Sequence, residues 1–341
     1  MLTRNRKLLL AIAGYALFFG VCFVTSAYYT FPYERVRDLL VRRVAAQPVA
    51  AGEGAAKLTI AELGPHGLAG IALEGVEYER KAAVATDPPV KLAVDELSVG
   101  ASLFGLLTNR VDLSFALAVG DGDADGEYET KEGEPTHLQA DLDEVDLGRL
   151  GVGSFLGIPV KGTATGTIDV TLADKPSGTQ GNIELRIEGL KLGDGKAKLK
   201  LPGMPGGLTL DMVDAGDLDL KVVIRDGIAS FEKLESKGKD LELSGSGSVR
   251  VIKPVGQSRA DLTLGVKVED AYKKKSERTA AAFELLSNSP LMKRATSADG
   301  SIRFRLTGPI AAMRAAPGAG AGSGAKARKA KKAAVDEPSL P

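Results

Sequence analysis

Asp121, Asp123, Asp125, Gly126 and Glu132 are spaced as D-x-D-x-D-G-x5-E, the pattern by which a calcium loop brings oxygen ligands round one hard cation. The surroundings argue against such a loop. The residues before Asp121 alternate as a strand does, Gly133-Glu134-Pro135 opens no helix, and Tyr128 stands where an aliphatic residue is normal. An acidic hairpin tip, with no metal bound, is therefore the expectation for this segment.

The other reactive side chains are few. His66 in Gly64-Pro65-His66-Gly67 and His137 after Pro135-Thr136 sit in turn-like contexts far apart in sequence, and no G-x-S-x-G or H-E-x-x-H pattern accompanies them. Cys22, the single cysteine, excludes an internal disulfide framework and a cysteine-based metal site, and it lies in an apolar run that leaves a thiol unactivated. No glycine-rich phosphate loop opens a helix after a strand. With no nucleophile, base and orienting group in a recognisable arrangement, the expectation is a protein that is not an enzyme, with no catalytic residues and no cofactor.

The elements that carry these residues follow from periodicity. Leu8 to Tyr29 is a run of 22 uncharged residues, enough at about 1.5 Å per residue to cross a hydrocarbon core of roughly 30 Å. Arg4, Arg6 and Lys7 before it, and Thr25-Ser26-Ala27 within it, fit a cleaved signal peptide as the rival reading. A secretory apolar core is only about 7 to 15 residues long, which favours an uncleaved anchor. The expectation is a cytoplasmic stub and transmembrane anchor over 1–29 with the rest in the periplasm. Over 30–46, Val36, Leu39, Leu40 and Val44 recur at helical spacing opposite Arg35, Asp38 and Arg42. That pattern predicts a short amphipathic helix, at the membrane surface or packed on the body; periodicity supports both.

From residue 57 the period becomes two, as in Val111, Leu113, Phe115, Leu117 and Val119, or Leu218, Leu220, Val222 and Ile224. Turn clusters at 120–126, 174–181, 193–195 and 225–227 predict antiparallel hairpins. Gly166, Gly181, Gly216, Gly247 and Gly300 each precede such a run, which predicts bulges or twisted strand entries. Short helices are expected at 102–108, 147–156 and 271–288; in the last, Thr279, Ala282, Phe283 and Leu286 share one face. The fold class is therefore mainly β, with a β domain over 47–312 and a disordered basic tail over 313–341.

Zero net charge hides a division. Residues 1–7 carry +3, and 317–341 carry five basic and two acidic residues, leaving 36 basic and 42 acidic, or −6, for the body. A mildly acidic body argues against nucleic acid as a partner. Lys326, Arg328, Lys329, Lys331 and Lys332 suit acidic lipid, a partner, or simple solubility.

The layout resembles the type II secretion system protein N family in its deltaproteobacterial and leptospiral form, with kinship to AsmA-like periplasmic proteins. The likeness rests on Phe31-Pro32-Tyr33-Glu34-Arg35-Val36, on Asp95-Glu96-Leu97-Ser98-Val99 leading to Ser102-Leu103-Phe104-Gly105-Leu106-Leu107, and on Asp143-Glu144-Val145-Asp146-Leu147 before Gly157-Ile158-Pro159-Val160-Lys161-Gly162. It closes with Gly300 to Ile310 and covers residues 8 to about 311. The resemblance implies a single-pass inner-membrane accessory component of the secretion machinery, whose periplasmic domain is an elongated, curved antiparallel sheet that contacts other secretion components. It brings no site residues with it. The alternative drawn from the alternation itself is a lipid-handling protein, because one continuous apolar sheet face that builds a core can equally form a groove for phospholipid acyl chains.

Overall fold

The computed structural model describes residues 14–318 apart from 16–17, 24, 27, 47–52, 68, 83–89, 103, 106–107, 157, 197, 202–203, 210, 289, 298 and 311–312. Of the described residues, 58% are in strands. Fourteen strands form one antiparallel sheet in which nearly every strand pairs with its neighbours in sequence. They are β1 (Glu53–His66), β2 (Gly70–Ala82), β3 (Val90–Ala101), β4 (Arg110–Val119), β5 (Gly122–Lys131), β6 (Thr136–Asp146), β7 (Val160–Leu172) and β8 (Gln180–Leu192), then β11 (Val213–Arg225), β12 (Ile228–Lys237), β13 (Leu241–Arg250), β14 (Arg259–Val268), β15 (Ile302–Pro309) and β16 (Arg314–Pro317). A two-stranded hairpin, β9 (Lys198–Leu201) with β10 (Met204–Thr209), interrupts the order between β8 and β11.

Helices are few. α1 is Tyr33–Ala45, α2 is Gly153–Leu156, and α3 (Asp270–Lys273), α4 (Glu277–Asn288) and α5 (Pro290–Ala295) fill the connection from β14 to β15. α1 begins after Pro32, has Glu34 in its first turn and Arg42 and Arg43 in its last, and so matches its charges to the helix dipole. Tyr33, Val36, Leu40 and Val41 pack on the sheet, while Leu39 is 58% exposed. Part of Leu8–Tyr29 lies outside the described residues. Its described positions are helical from residue 14, and Tyr15, Phe18 and Phe19 are exposed. Among the described residues no helix is long and apolar enough to cross a membrane.

Turn chemistry fixes the hairpins. Between β11 and β12, Asp226 and Gly227 both have positive φ (51° and 73°), and Arg225 pairs with Ile228, a two-residue turn of the kind whose twist suits a hairpin. The turn expected over 120–126 is shorter than its composition implies. Gly120 and Asp121 alone make it, and β5 begins at Gly122, which pairs with Val119. Gly122 and Gly126 serve close strand approach instead, since a Cβ on Gly126 would lie 2.3 Å from the Gln139 carbonyl oxygen. Gly216 does mark a bulge: its φ is 66°, and the register with β8 shifts on both sides of it. Gly166 and Gly247 are not strand entries but interior positions of β7 and β13.

Three further expectations need correction. The tail does not begin at 313, because Arg314–Pro317 pairs with β15; backbone bonds hold this strand, so it shows no apolar periodicity. The segment 271–288 is two helices, broken where Ser276 caps α4 by accepting from the Thr279 amide at 3.2 Å. Within 147–156 only Gly153–Leu156 is helical, the rest being turn.

The core is a band along one face of the sheet. Val119 and Val145 are fully buried beside Ile60, Leu63 and Leu73; Ala215, Leu218 and Leu241 follow, then Val222, Ile224 and Val249. Truncating Leu218, 7% exposed, to Ala should cost about 2–5 kcal/mol by chemical denaturation, because the surrounding strands cannot close the gap. Leu285→Ala, at a site 62% exposed, should change stability by less than about 0.5 kcal/mol in the same assay.

Candidate functional site

The candidate site is the apolar face itself. One row of directly paired residues crosses all fourteen strands. It starts Pro65, Ile71, Val99, Phe115, Gly126, Ala140 and Ile168. It continues Ile183, Val222, Phe231, Gly247, Leu262, Leu306 and Ala315. No member is polar or charged. The adjacent row on the opposite face reads Gly64, Ala72, Ser98, Ala116, Asp125, Asp141, Thr167, Glu184 and Lys221. The large side chains of the apolar row, Phe115, Ile168, Ile183, Phe231 and Leu262, are only half-buried. Helices reach the face near its two ends: α1 by β1, and α4 through Ala282, Phe283 and Leu286 against Ile302 and Phe304 of β15.

The α4 face expected from periodicity is the one observed. Thr279, Ala282 and Leu286 are buried, with Phe283 beside them. What periodicity missed is the polar knot that holds this helical cap. Asp211 accepts from the Ser276 hydroxyl at 2.5 Å and from the Thr279 hydroxyl at 2.9 Å. The Tyr272 hydroxyl, in a residue only 1% exposed, donates to the Asp211 carbonyl at 2.5 Å. Lys275 Nζ donates to the Met212 carbonyl at 2.9 Å and to Asp240 at 3.1 Å. The hydroxyl donors hold the Asp211 carboxyl below the usual aspartate range, Ser276 contributing most. Burial and the nearby Asp211 and Asp240 charges push the Tyr272 phenol far up. The one sequence signal for the knot is Tyr272, a lone aromatic in Asp-Ala-Tyr-Lys-Lys-Lys.

At the opposite end of the strands, the loops after β7 and β13 meet at the β11–β12 turn, where the Gly227 amide donates to the Thr179 carbonyl at 3.0 Å and the Val251 amide to the Gly227 carbonyl at 2.8 Å, and Lys253 joins the first of these loops. Its Nζ lies 3.1 Å from Asp174 Oδ1, in the loop after β7, and 3.5 Å from the Thr136 hydroxyl at the start of β6. Thr136 alternates with Leu138 and Ala140, so it belongs to the apolar side of the sheet.

The acidic run does not assemble a cation loop. Asp121 is in the turn before β5 and Glu132 in the turn after it. Ten extended residues separate them, about 33 Å at roughly 3.3 Å each, so they cannot share one ion. Asp123 and Asp125 instead face Asp143 and Asp141 directly across the ladder to β6. Among the described residues no group of three or more His, Cys, Asp or Glu is arranged to hold a metal. His66 ends β1. His137 is in strand β6, not in a turn, with Nδ1 3.2 Å from the Thr171 hydroxyl; the pairing of β6 with β7 extends further than Pro135 suggests. Cys22 is exposed, and Lys326 to Lys332 lie outside the described residues.

Compared with known proteins, the chain matches no family model, no curated protein and no solved structure.

The knot gives a pH signature. A carboxyl whose folded pKa is lowered adds stability that is complete above its unfolded value, near 3.8, and is lost as pH falls toward the folded value. Asp211→Asn should speed hydrogen exchange in α3 and α4 at neutral pH without changing exchange in α1. It should also abolish the part of the cap's loosening that wild type shows only below about pH 4.

Proposed function

We propose that this chain is a non-enzymatic accessory component of the type II protein secretion system, anchored in the bacterial inner membrane by Leu8–Tyr29 and working through a periplasmic β domain. The observation that carries this reading is the sheet's two ends. Among the described residues β1 pairs only with β2, and β16 only with β15, so each end strand keeps a row of backbone groups for another chain. A strand added to such an edge gains main-chain hydrogen bonds with no need of a catalytic site. The long strand β1, with 14 residues, is the larger of the two edges, and Arg37 of α1 donates to its Ala61 carbonyl at 3.4 Å. The order of sequence motifs from Phe31 to Ile310 supports the family assignment within this reading.

A second reading is favoured by a different observation. The fourteen-strand row without a polar side chain, whose large members are half-buried, suits a curved AsmA-like trough that shields phospholipid acyl chains. Strands of 10 to 13 residues, about 33–43 Å long, are of the scale of an extended lipid.

Photo-reactive residues at the exposed edge positions Lys57 of β1 and Arg314 of β16, and at Leu117 and Phe304 on the apolar side, activated in living cells, separate the two. Crosslinks to secretion-system proteins are the expected result for the accessory component. Crosslinks to lipid alone would replace that reading with the lipid-handling one.

A further inference from the structure

We infer that the end of the sheet where β11 turns into β12 is a docking surface for a bilayer of acidic phospholipids, whose phosphates meet Arg225, Arg250 and Arg259 and whose interface takes up Ile228, Val255 and Ile310.

The first observation is a row of like charges. Arg225 of β11 is paired directly with Ile228 of β12, Ile228 with Arg250 of β13, and Arg250 with Arg259 of β14. Three strand intervals of about 4.8 Å place the arginines within roughly 14 Å. The adjacent row, Ile224, Ala229, Val249 and Ala260, is buried, so the arginines belong to the polar face, and all three are exposed. Arg250 and Arg259 stand directly opposite each other, an arrangement that works against the ladder unless an anion accompanies it.

The second observation is that this row lacks counter-charges. Two residues further in, Arg305 meets Asp261 at 2.6 Å, and Lys233 meets Asp219 at 2.7 Å. Among the described residues, none of Arg225, Arg250, Arg259 and the neighbouring Lys175 has such a partner. Segments 173–179, 225–228 and 250–259 carry five basic and two acidic residues, although the body as a whole has an excess of acid. Lys253 with Asp174 is their one ion pair.

The third observation is the aliphatic side chains set among these cations. Ile228, Val255 and Ile310 are 42%, 47% and 40% exposed. Their loops are fastened together: besides the bonds through Gly227, the Ile310 amide donates to the Ser258 carbonyl at 2.9 Å. The buried hydroxyls of Thr179 and Ser258 accept from the Ala173 and Ile252 amides at 3.1 Å and 3.0 Å. The three aliphatic side chains are therefore presented on one fixed surface. Guanidinium groups beside aliphatic ones complement the level of a bilayer at which phosphate gives way to hydrocarbon. An acidic protein surface would satisfy the arginines but would set Ile228, in the middle of their row, against charge.

The test uses the full chain in phosphatidylcholine vesicles with or without phosphatidylglycerol. Val255→Cys, in a Cys22→Ser background, carries a fluorophore quenched by nitroxide lipids labelled near the headgroup. Lys237→Cys, at the other end of β12 where the side chain is 84% exposed, carries the same label as a control. The Val255 label should be quenched in phosphatidylglycerol vesicles, far less in phosphatidylcholine alone, and progressively less as salt rises; the Lys237 label should stay unquenched. Replacing Arg225, Arg250 and Arg259 by Gln should lower the docked-to-undocked ratio about 100-fold, at roughly fivefold per arginine. Ile228→Ser should weaken docking and leave its salt dependence in place. Equal quenching with and without phosphatidylglycerol, or at both label positions, would overturn the docking surface. A change at Val255 produced by poly-glutamate but not by phosphatidylglycerol vesicles would also overturn it, in favour of an acidic protein. The native Cys22, labelled in the otherwise unaltered chain, reports the anchor separately. A quenched Cys22 with an unquenched Val255 overturns the docking surface and leaves the anchor; the reverse overturns the anchor and supports the docking surface. Far-UV circular dichroism matching wild type shows that each variant is folded.

Discussion

Everything in this molecule depends on side-chain parity. Strand residues alternate between faces, so a one-residue slip anywhere would carry Lys221 or Asp169 into the row that holds Val222 and Ile168. The chain keeps its faces straight even where strands are irregular. In β1, β2 and β3 the apolar positions change parity at one level: Leu58 and Ile60 give way to Leu63, Tyr78 and Val76 to Leu73, Leu92 and Val94 to Leu97. Gly75, at φ 56°, sits at this jog, and pairing above and below it keeps one register. In β12 a register shift does the same work: the pairing slips between Phe231 and Glu235, and Phe231 and Leu234 both join the apolar side.

The polar face has a division of its own. From β8 to β15 it is laced with ion pairs: Lys221 with Glu184, Arg186 with Asp217 and Asp219, Lys233 with Asp219, Lys267 with Glu242, and Arg305 with Asp261. At β5 and β6 it carries Asp123 opposite Asp143 and Asp125 opposite Asp141, like charges that work against the ladder they sit on. Nearby, Asp95 is held below the usual aspartate range chiefly by the Gly120 amide, with Arg149 at 2.5 Å also contributing. That contact pins the Gly120-Asp121 turn to β3 and to the loop after β6, and the Ala93 amide donates to the Arg149 carbonyl at 2.8 Å.

Much of this fold is legible in the sequence because alternation is a local property. Val111 to Val119 and Leu218 to Ile224 declare their strands, Asp226-Gly227 declares its turn, and Thr279, Ala282 and Leu286 declare the buried face of their helix. The acidic run misleads for the same reason: Asp121, Asp123 and Asp125 match a loop by spacing, yet Ala124 and Gly126 alternate with them as the inner face of a strand. β16 is hidden because Arg-Ala-Ala-Pro pairs by backbone alone. The knot on Asp211 and the reach of Lys253 to Asp174 join residues more than 60 positions apart, and nothing in either neighbourhood announces the other.

The meander order has a consequence for how the sheet is built. Nearly every strand docks on the one synthesised just before it, so partners are close in sequence and loop closure is cheap. A chain growing from its amino terminus extends the sheet one strand at a time, each new edge templating the next, with α1 packed by β1 at the starting edge. Two steps wait longer. β11 must find β8 past the β9–β10 hairpin, and β15 must find β14 past α3, α4 and α5. Until those helices settle, the β14 edge stays open, so the Asp211 knot that fastens the cap also bears on how long the unfinished sheet is open to other strands.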